Sequence, residues 1–188
     1  MTQSRIKIVI ENLLLSTNRK GIENLLQWMD ENGFYSAPCS SRYHLSISGG
    51  LAEHSKNVCD AAIALATSLL SREGKMLPFE TISSIYICSL LHDLGKTGQF
   101  GKSNYIENED LEGGAFKGNK DLLYIPHEIR SIAIASQFIE LTEEEQFAIL
   151  YHNGLYGELK SVRGNETELY MILHFADMWA SRVMERED

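Results

Sequence analysis

The stretch Phe79-Glu80-Thr81-Ile82-Ser83-Ser84-Ile85-Tyr86-Ile87-Cys88-Ser89-Leu90-Leu91-His92-Asp93-Leu94-Gly95-Lys96 decides how the rest of the chain is read. Its apolar residues recur at intervals of three and four, which predicts a helix from about Phe79 to Leu94. That helix sets Ile85, Cys88 and His92 on one face, and Gly95 supplies a left-handed stop. An imidazole is therefore expected on the apolar side, and an acid follows it directly.

The same periodicity extends outward in both directions. A helix over about Leu51 to Ser71 places Leu51, His54, Val58, Ala61 and Leu65 inward, again with a histidine among apolar residues. An amphipathic stretch from about Ile6 to Trp28, broken near Asn18 and Gly21, closes with the turn Asn32-Gly33 and leads into an irregular connection from Phe34 to Gly50. Downstream, Thr97 to Asp121 is rich in glycine, asparagine and charge. It exceeds the roughly 12–15 residues at which a loop becomes unusual in a compact domain, and it is expected to form a flap beside a pocket.

Pro126 opens a helix with His127 at its start and Ile129, Ile132, Ala133 and Ser136 running toward Ile139. Thr142 and Glu145 have the spacing of a capping box, with Glu143 to Glu145 expected as a solvated helix start, and the helix they open ends at His152-Asn153-Gly154. A loop from Gly154 to Gly164 leads to a last helix, Glu166 to about Glu185, whose inward face holds Leu169, Leu173, Ala176, Asp177 and Ala180. The fold class expected is all-α. Neither repeats nor a shift in composition divide the chain, so residues 1–188 are read as a single helical domain.

Composition narrows the function. A chain of 188 residues with 44% hydrophobic and 23% charged residues buries one core and is not disordered. The formal net charge of −9 repels polyanions, so extended nucleic acid is not an expected partner. Cys39, Cys59 and Cys88 lack CxxC spacing and lie in apolar surroundings, as suits buried thiols in a reducing compartment. Glu11 and Asn12 interrupt the only candidate targeting segment, and no stretch reaches the roughly 18 apolar residues of a membrane span. A cytoplasmic protein without membrane association is expected.

Separate helices thus each deliver a metal-type side chain: His54, His92 with Asp93, His127, His152 and Asp177. A buried ionised carboxylate without a partner costs several kcal/mol, and Lys96 alone does not neutralise two. Nitrogen and oxygen donors without thiolate suit a divalent cation, with Mn, Fe, Co, Ni, Zn or Mg left open. Mixed ligation of this kind commonly keeps a coordination position free for water or a phosphoryl oxygen, and the chemistry implied is hydrolysis.

The motif His92-Asp93-Leu94-Gly95-Lys96 resembles the name-giving motif of the HD-domain metal-dependent phosphohydrolase superfamily. Gly49-Gly50-Leu51-Ala52-Glu53-His54 stands upstream and Leu173-His174-Phe175-Ala176-Asp177 downstream in the order that family shows. The resemblance runs from about Phe34 to Arg182, with residues 1–33 as a helical N-terminal extension. It implies an all-helical bundle whose central metal is held by His54, His92, Asp93 and Asp177. His127 and His152 occupy the places of the extra histidines in two-metal members, where Asp93 would bridge the ions. One departure is His152-Asn153, where many such members carry a His-His pair.

Phe34-Tyr35-Ser36-Ala37-Pro38, with His44 and Gly49-Gly50, is similar to the segment before the first ligand in 3'-5' exonucleases and small phage-type hydrolases of the family. The resemblance therefore implies attack of metal-bound water on a phosphate ester or anhydride of a nucleotide or short oligonucleotide. Asp93 would hold metal and orient or deprotonate the water, Lys96 would stabilise the transition state and bind phosphate, and His44 would touch substrate phosphate. His174 is read either as support for a ligating carboxylate or as packing. Tyr105, Phe116, Tyr124 and Tyr156 either stack on a base or anchor the loops. Two other classes remain open: a mixed-valence di-iron oxygenase, which shares the six-ligand pattern, and a nucleotide-binding protein without turnover. Assembly into a homo-oligomer is open as well.

Overall fold

A computed structural model of the chain describes residues 2–70, 76–110, 113–154 and 163–186. Among these the chain is mostly helical, with α1 Gln3–Ser16, α2 Ile22–Glu31, α3 Gly50–Leu70, α4 Phe79–Leu91, α5 His127–Ala135, α6 Glu143–Tyr151 and α7 Glu168–Trp179. A 3-10 turn, Leu94–Thr97, follows α4, and a π turn, Ala180–Met184, extends α7. The connection after Thr97 departs from the all-α expectation by holding two small antiparallel hairpins. These are β1 Gly98–Gln99 with β2 Lys102–Ser103, and β3 Tyr105–Glu107 with β4 Phe116–Gly118. Strands of two or three residues are too short for alternation to be legible in sequence.

The centre of the bundle is α4, which packs against α1, α3, α6 and α7. From Ile87 to Gly95 every residue is buried, as befits a segment apolar on all sides. Residues 1–33, expected as an extension, join the same core through Ile6, Ile10 and Leu14 of α1 and Leu25, Leu26 and Met29 of α2. On α3 the buried stripe follows Leu51, His54 and Val58 and then moves to Ala62 and Ala66, leaving Ala61 and Leu65 half-buried. A helix of 3.6 residues per turn drifts off a strict three–four repeat over five turns.

Two expectations about the residues after α4 are corrected. The helix ends at Leu91 with His92 as its cap, and Asp93, at φ −102° and ψ 9°, occupies the bridge region before the 3-10 turn. Gly95 is not left-handed. Its role is close approach: a side chain there would collide with the carbonyl oxygen of His127, and its amide donates to Ser131 Oγ at 2.8 Å.

This docking also sets the face of α5. Arg130, Ser131, Ile134 and Ala135 are buried, whereas Ile129, Ala133 and Ser136 are exposed and Ile132 is half-buried. The Arg130 guanidinium donates to Gln99 Oε1 at 3.1 Å and to the Leu123 carbonyl at 2.8 Å, tying the hairpin segment to α5.

The expected capping box of α6 is present, with the Glu145 amide donating to Thr142 Oγ1 at 3.1 Å and the Thr142 amide to Glu145 Oε2 at 2.9 Å. Glu143 and Glu144 are exposed, but Glu145 is fully buried rather than solvated. Its carboxylate also accepts from Ser84 Oγ at 2.7 Å and pairs with the Arg19 guanidinium, joining the α1–α2 turn to α4 and α6. The last helix begins at Glu168 under a Thr167 cap and is α-helical only to Trp179, shorter at both ends than expected. Most of the loop after Gly154, Tyr156 included, lies outside the described residues. The three cysteines are buried and free. No described helix is long and apolar enough to cross a membrane.

Candidate metal centre

Six side chains from five parts of the chain converge at one end of α4. His54 comes from α3, His92 and Asp93 from the end of α4, His127 from the first residue of α5, His152 from the cap of α6, and Asp177 from α7. Asp93 lies at the middle. Its Oδ2 is 3.5 Å from His54 Nε2 and 3.4 Å from His92 Nε2, and its Oδ1 is 3.1 Å from His127 Nε2 and 3.6 Å from His152 Nε2. Asp177 Oδ1 is 3.2 Å from His54 Nε2. Every metal-type residue expected from the sequence is thus in one cluster. His54, His92 and Asp93 form one group with ligand atoms close enough to hold a metal ion, and Asp93, His127 and His152 form another.

The orientation of the rings tests whether the residues suit a cation. His92 Nδ1 donates to the Ser89 carbonyl at 2.9 Å, and His152 Nδ1 to the Ile149 carbonyl at 2.7 Å. His54 Nδ1 faces both oxygens of Glu185, at 3.0 and 3.1 Å. For His92 and His152 the outer nitrogen is fixed to a backbone carbonyl, so Nε2 carries the lone pair and points at the acids, whereas His54 stands between two carboxylates, Glu185 at Nδ1 and Asp177 at Nε2. Acceptors therefore face acceptors. His92 Nε2, Asp93 Oδ1 and His127 Nε2 are buried without any hydrogen-bond partner, an arrangement that native interiors avoid unless something else satisfies them. The donor set fits a divalent cation.

Electrostatics agree with that geometry. Burial alone would raise the Asp93 carboxyl, but Lys96, 2.6 Å away, and His92 hold it well below the usual carboxylate range. Asp177 is likewise depressed against its burial, chiefly by the His54 hydrogen bond. Burial, with His92 adding to it, pushes His152 down to about 3, so that ring is neutral and its lone pair available. Burial would also depress His54, but the surrounding Cys39, Asp177 and Glu185 raise it well above the ordinary imidazole value. Lys96 is raised despite burial because Asp93 holds its proton.

Glu185 is the residue that sequence periodicity missed. The π turn, closed by the Glu185 amide donating to the Ala180 carbonyl at 3.0 Å, swings its carboxylate beneath His54, where Asn57 Nδ2 also donates to it at 3.0 Å. Its position two turns beyond Asp177 is the one signal that could have marked it. Asn153 was equally unforeseen: its amide donates to Glu128, whose other oxygen lies 3.4 Å from His127 Nδ1. His174 bonds neither acid. Its Nδ1 donates to the His152 carbonyl at 2.8 Å, and a side chain on Gly154, left-handed at φ 50°, would collide with its ring.

Two clefts meet at this centre. One of about 590 Å³ opens over Asp93, Lys96, His152 and Asp177, with Tyr43 and His44 on its rim. The other, about 550 Å³, runs from Lys96 and His127 along the hairpin segment, past Asn104, Tyr105, Asn119 and Tyr124. The expected flap therefore does border a pocket, with Tyr105 and Tyr124 in it and Phe116 in a separate recess beside Ala37 and Pro38. His44 lies with its ring 5.0 Å from that of His54 and its Nε2 3.4 Å from Cys39 Sγ. It is delivered by the tight turn at Leu45, which has left-handed backbone at φ 48°. Comparison with protein-family models, curated proteins and solved structures finds no match.

Proposed function

We propose that the chain is a divalent-metal-dependent phosphohydrolase of the HD type, built as a single helical bundle and acting on a nucleotide or another small phosphate ester. The observation that carries this reading is the set of buried atoms around Asp93 that meet no hydrogen-bond partner, Asp93 Oδ1, His92 Nε2 and His127 Nε2, with the Lys96 ammonium reaching only Oδ2. The sequence resemblance supports it, because His54, His92, Asp93 and Asp177, on which the resemblance rests, are the residues of the cluster. These four would hold one ion, and Asp93, His127 and His152 a second, as Mn, Fe, Co, Ni, Zn or Mg. A divalent cation bound there supplies a Lewis acid that acidifies water and polarises a phosphoryl oxygen.

The chain's own groups then divide the remaining work. Asp93 and Asp177, held ionised, are poor proton acceptors at neutral pH, so they contribute charge and position rather than base catalysis. Lys96 lines both clefts and sets its ammonium beside Asp93, where it can offset the charge gathering on a phosphate in transit. Glu185 and the Ser89 and Ile149 carbonyls keep the imidazoles aimed inward. Asn153 stands where many two-metal HD proteins carry a second histidine, and through Glu128 it braces His127.

The test combines metal analysis of the chain after dialysis against Mn or Co with turnover of a nucleotide panel. Bound metal, phosphate or nucleoside release, and loss of both in Asp93→Ala are expected. Equal turnover by the variant overturns the reading. Oxygen consumption with iron and no hydrolysis would instead identify the oxygenase, and nucleotide binding without product in any metal a binding protein.

A further inference from the structure

Beside the Asp93 centre, and sharing His54 with it, lies a second group of donors that includes sulfur. Cys39, His44 and His54 offer ligand atoms that all lie within 4.8 Å of one another, close enough to hold a metal ion. Cys39 is fully buried with its Sγ 3.4 Å from His44 Nε2, and the His44 and His54 rings are 5.0 Å apart. Glu185 adjoins both imidazoles, its Oε2 3.8 Å from His44 Nε2 and 3.0 Å from His54 Nδ1. The connection before α3 is folded so that Cys39 and His44 meet. The Cys39 amide donates to the Leu45 carbonyl at 3.1 Å, Ser40 Oγ to the His44 carbonyl at 3.1 Å, and the Tyr43 amide to Ser40 Oγ at 2.8 Å. Leu45 closes this turn in the left-handed region at φ 48°, a conformation that costs free energy in any residue with a side chain. Lys96 Nζ, 4.0 Å from Cys39 Sγ, favours the thiolate, and the cleft over Asp93 and Lys96, with His44 on its rim, gives an ion a way in.

We propose that Cys39, His44 and His54 form a second metal site, suited to zinc or another thiophilic cation, and that an ion there competes with the Asp93 centre for His54. The two donor sets differ in chemistry. Thiolate with imidazole selects zinc over Mn or Mg, whereas the carboxylates and imidazoles around Asp93 accept the harder ions. Three protein ligands leave the fourth position of a tetrahedral zinc ion to water. Cys39 gives up its proton to solvent on ligation, as a cysteine ligand must. A neutral imidazole carries one lone pair, so His54 serves one ion at a time. Zinc at Cys39 therefore loosens the ion beside Asp93, and by reciprocity that ion loosens zinc. The site stands whether or not the Asp93 centre turns over a phosphate ester.

Cadmium titrated into the full chain, reduced and stripped of other metal, reads the site through the ultraviolet charge-transfer band of a cadmium–thiolate bond. The band is expected to saturate at a single equivalent, to vanish in Cys39→Ser, and to need at least about tenfold more cadmium in His44→Ala. Cys59→Ser, whose thiol lies elsewhere in the core, should keep it. No band in the wild type, or an undiminished one in Cys39→Ser, overturns the site. Asp93→Ala distinguishes it from the neighbouring centre: the band should persist, and its loss there overturns a separate site. The competition is read without turnover, by electron paramagnetic resonance of the manganese-loaded chain. Zinc should release manganese from the wild type at about tenfold lower concentration than from Cys39→Ser. Equal release, or a chain that retains no manganese, overturns the competition. A chain that binds cadmium at Cys39 yet hydrolyses no phosphate ester defeats the phosphohydrolase reading and leaves this site standing.

Discussion

Two clusters of charged side chains are buried in this bundle, and they are built in opposite ways. At Glu145 every charge meets a donor: the Arg19 guanidinium, the Ser84 hydroxyl and the Thr142 amide surround one carboxylate. At Asp93 four imidazole Nε2 atoms lie within 3.6 Å of one carboxylate, and for His92 and His152 the outer nitrogen already holds the ring's proton. The first cluster is complete as it stands and ties helices together. The second buries lone pairs against each other at a free-energy cost that a cation or a proton would recover, and its groups could hold a metal ion.

The largest expected effect sharpens that difference. Asp93→Ala should lower turnover by about three orders of magnitude or more and remove bound metal, by kinetics and elemental analysis, while the fold persists. If the variant kept its metal, the contrast would break. Glu145→Ala should do the reverse: it strands Arg19 and Ser84 and costs about 3 kcal/mol of stability by denaturant unfolding, with metal stoichiometry unchanged. An unstable chain that had also lost its metal would show that the two clusters are one unit.

Acidity provides the next separation. His152 is depressed to about 3, and His44 is lowered as well, mainly by burial, against an unfolded value of about 6.5. Between these values the unfolded chain binds more protons than the folded one, so stability is fully present above about pH 6.5 and declines as pH falls. The depressed carboxylates add their own loss only below about pH 4, while His54, raised, works the other way: its contribution is full below about pH 6.5 and offsets part of the loss just below neutrality. With chelator present, unfolding measured at pH 7 and pH 5 should therefore show a drop, smaller in His152→Gln. A subtler change is Glu185→Gln, which keeps the shape under His54 but not the charge. About tenfold weaker metal affinity in a competition titration is expected, with little change in stability. The smallest is Thr142→Ala, about 1 kcal/mol in thermal unfolding, since it removes one cap and leaves the Arg19 pair with Glu145 in place.

Much of this was legible before any coordinates. The helices holding His54, His92, His127, His152 and Asp177 follow from intervals of three and four, because a regular helix converts spacing into a face whatever it packs against. The Thr142–Glu145 box is local for the same reason. By contrast, periodicity did not say which side of α5 is buried: Ile129 and Ala133 are exposed, since the face that packs was chosen by the 3-10 turn docking through Gly95. Glu145 looked like solvent-facing charge because Arg19, its partner, is 126 residues away.

The sequence by itself determined which side chains can carry the chemistry and on which helices they ride. Only the tertiary structure decided that six of them converge on one point and that Glu185 reaches His54 across 131 residues. The physical reason is range. Backbone geometry repeats over a few residues and is written in local spacing, whereas burial and the pairing of charges depend on which distant surfaces come together.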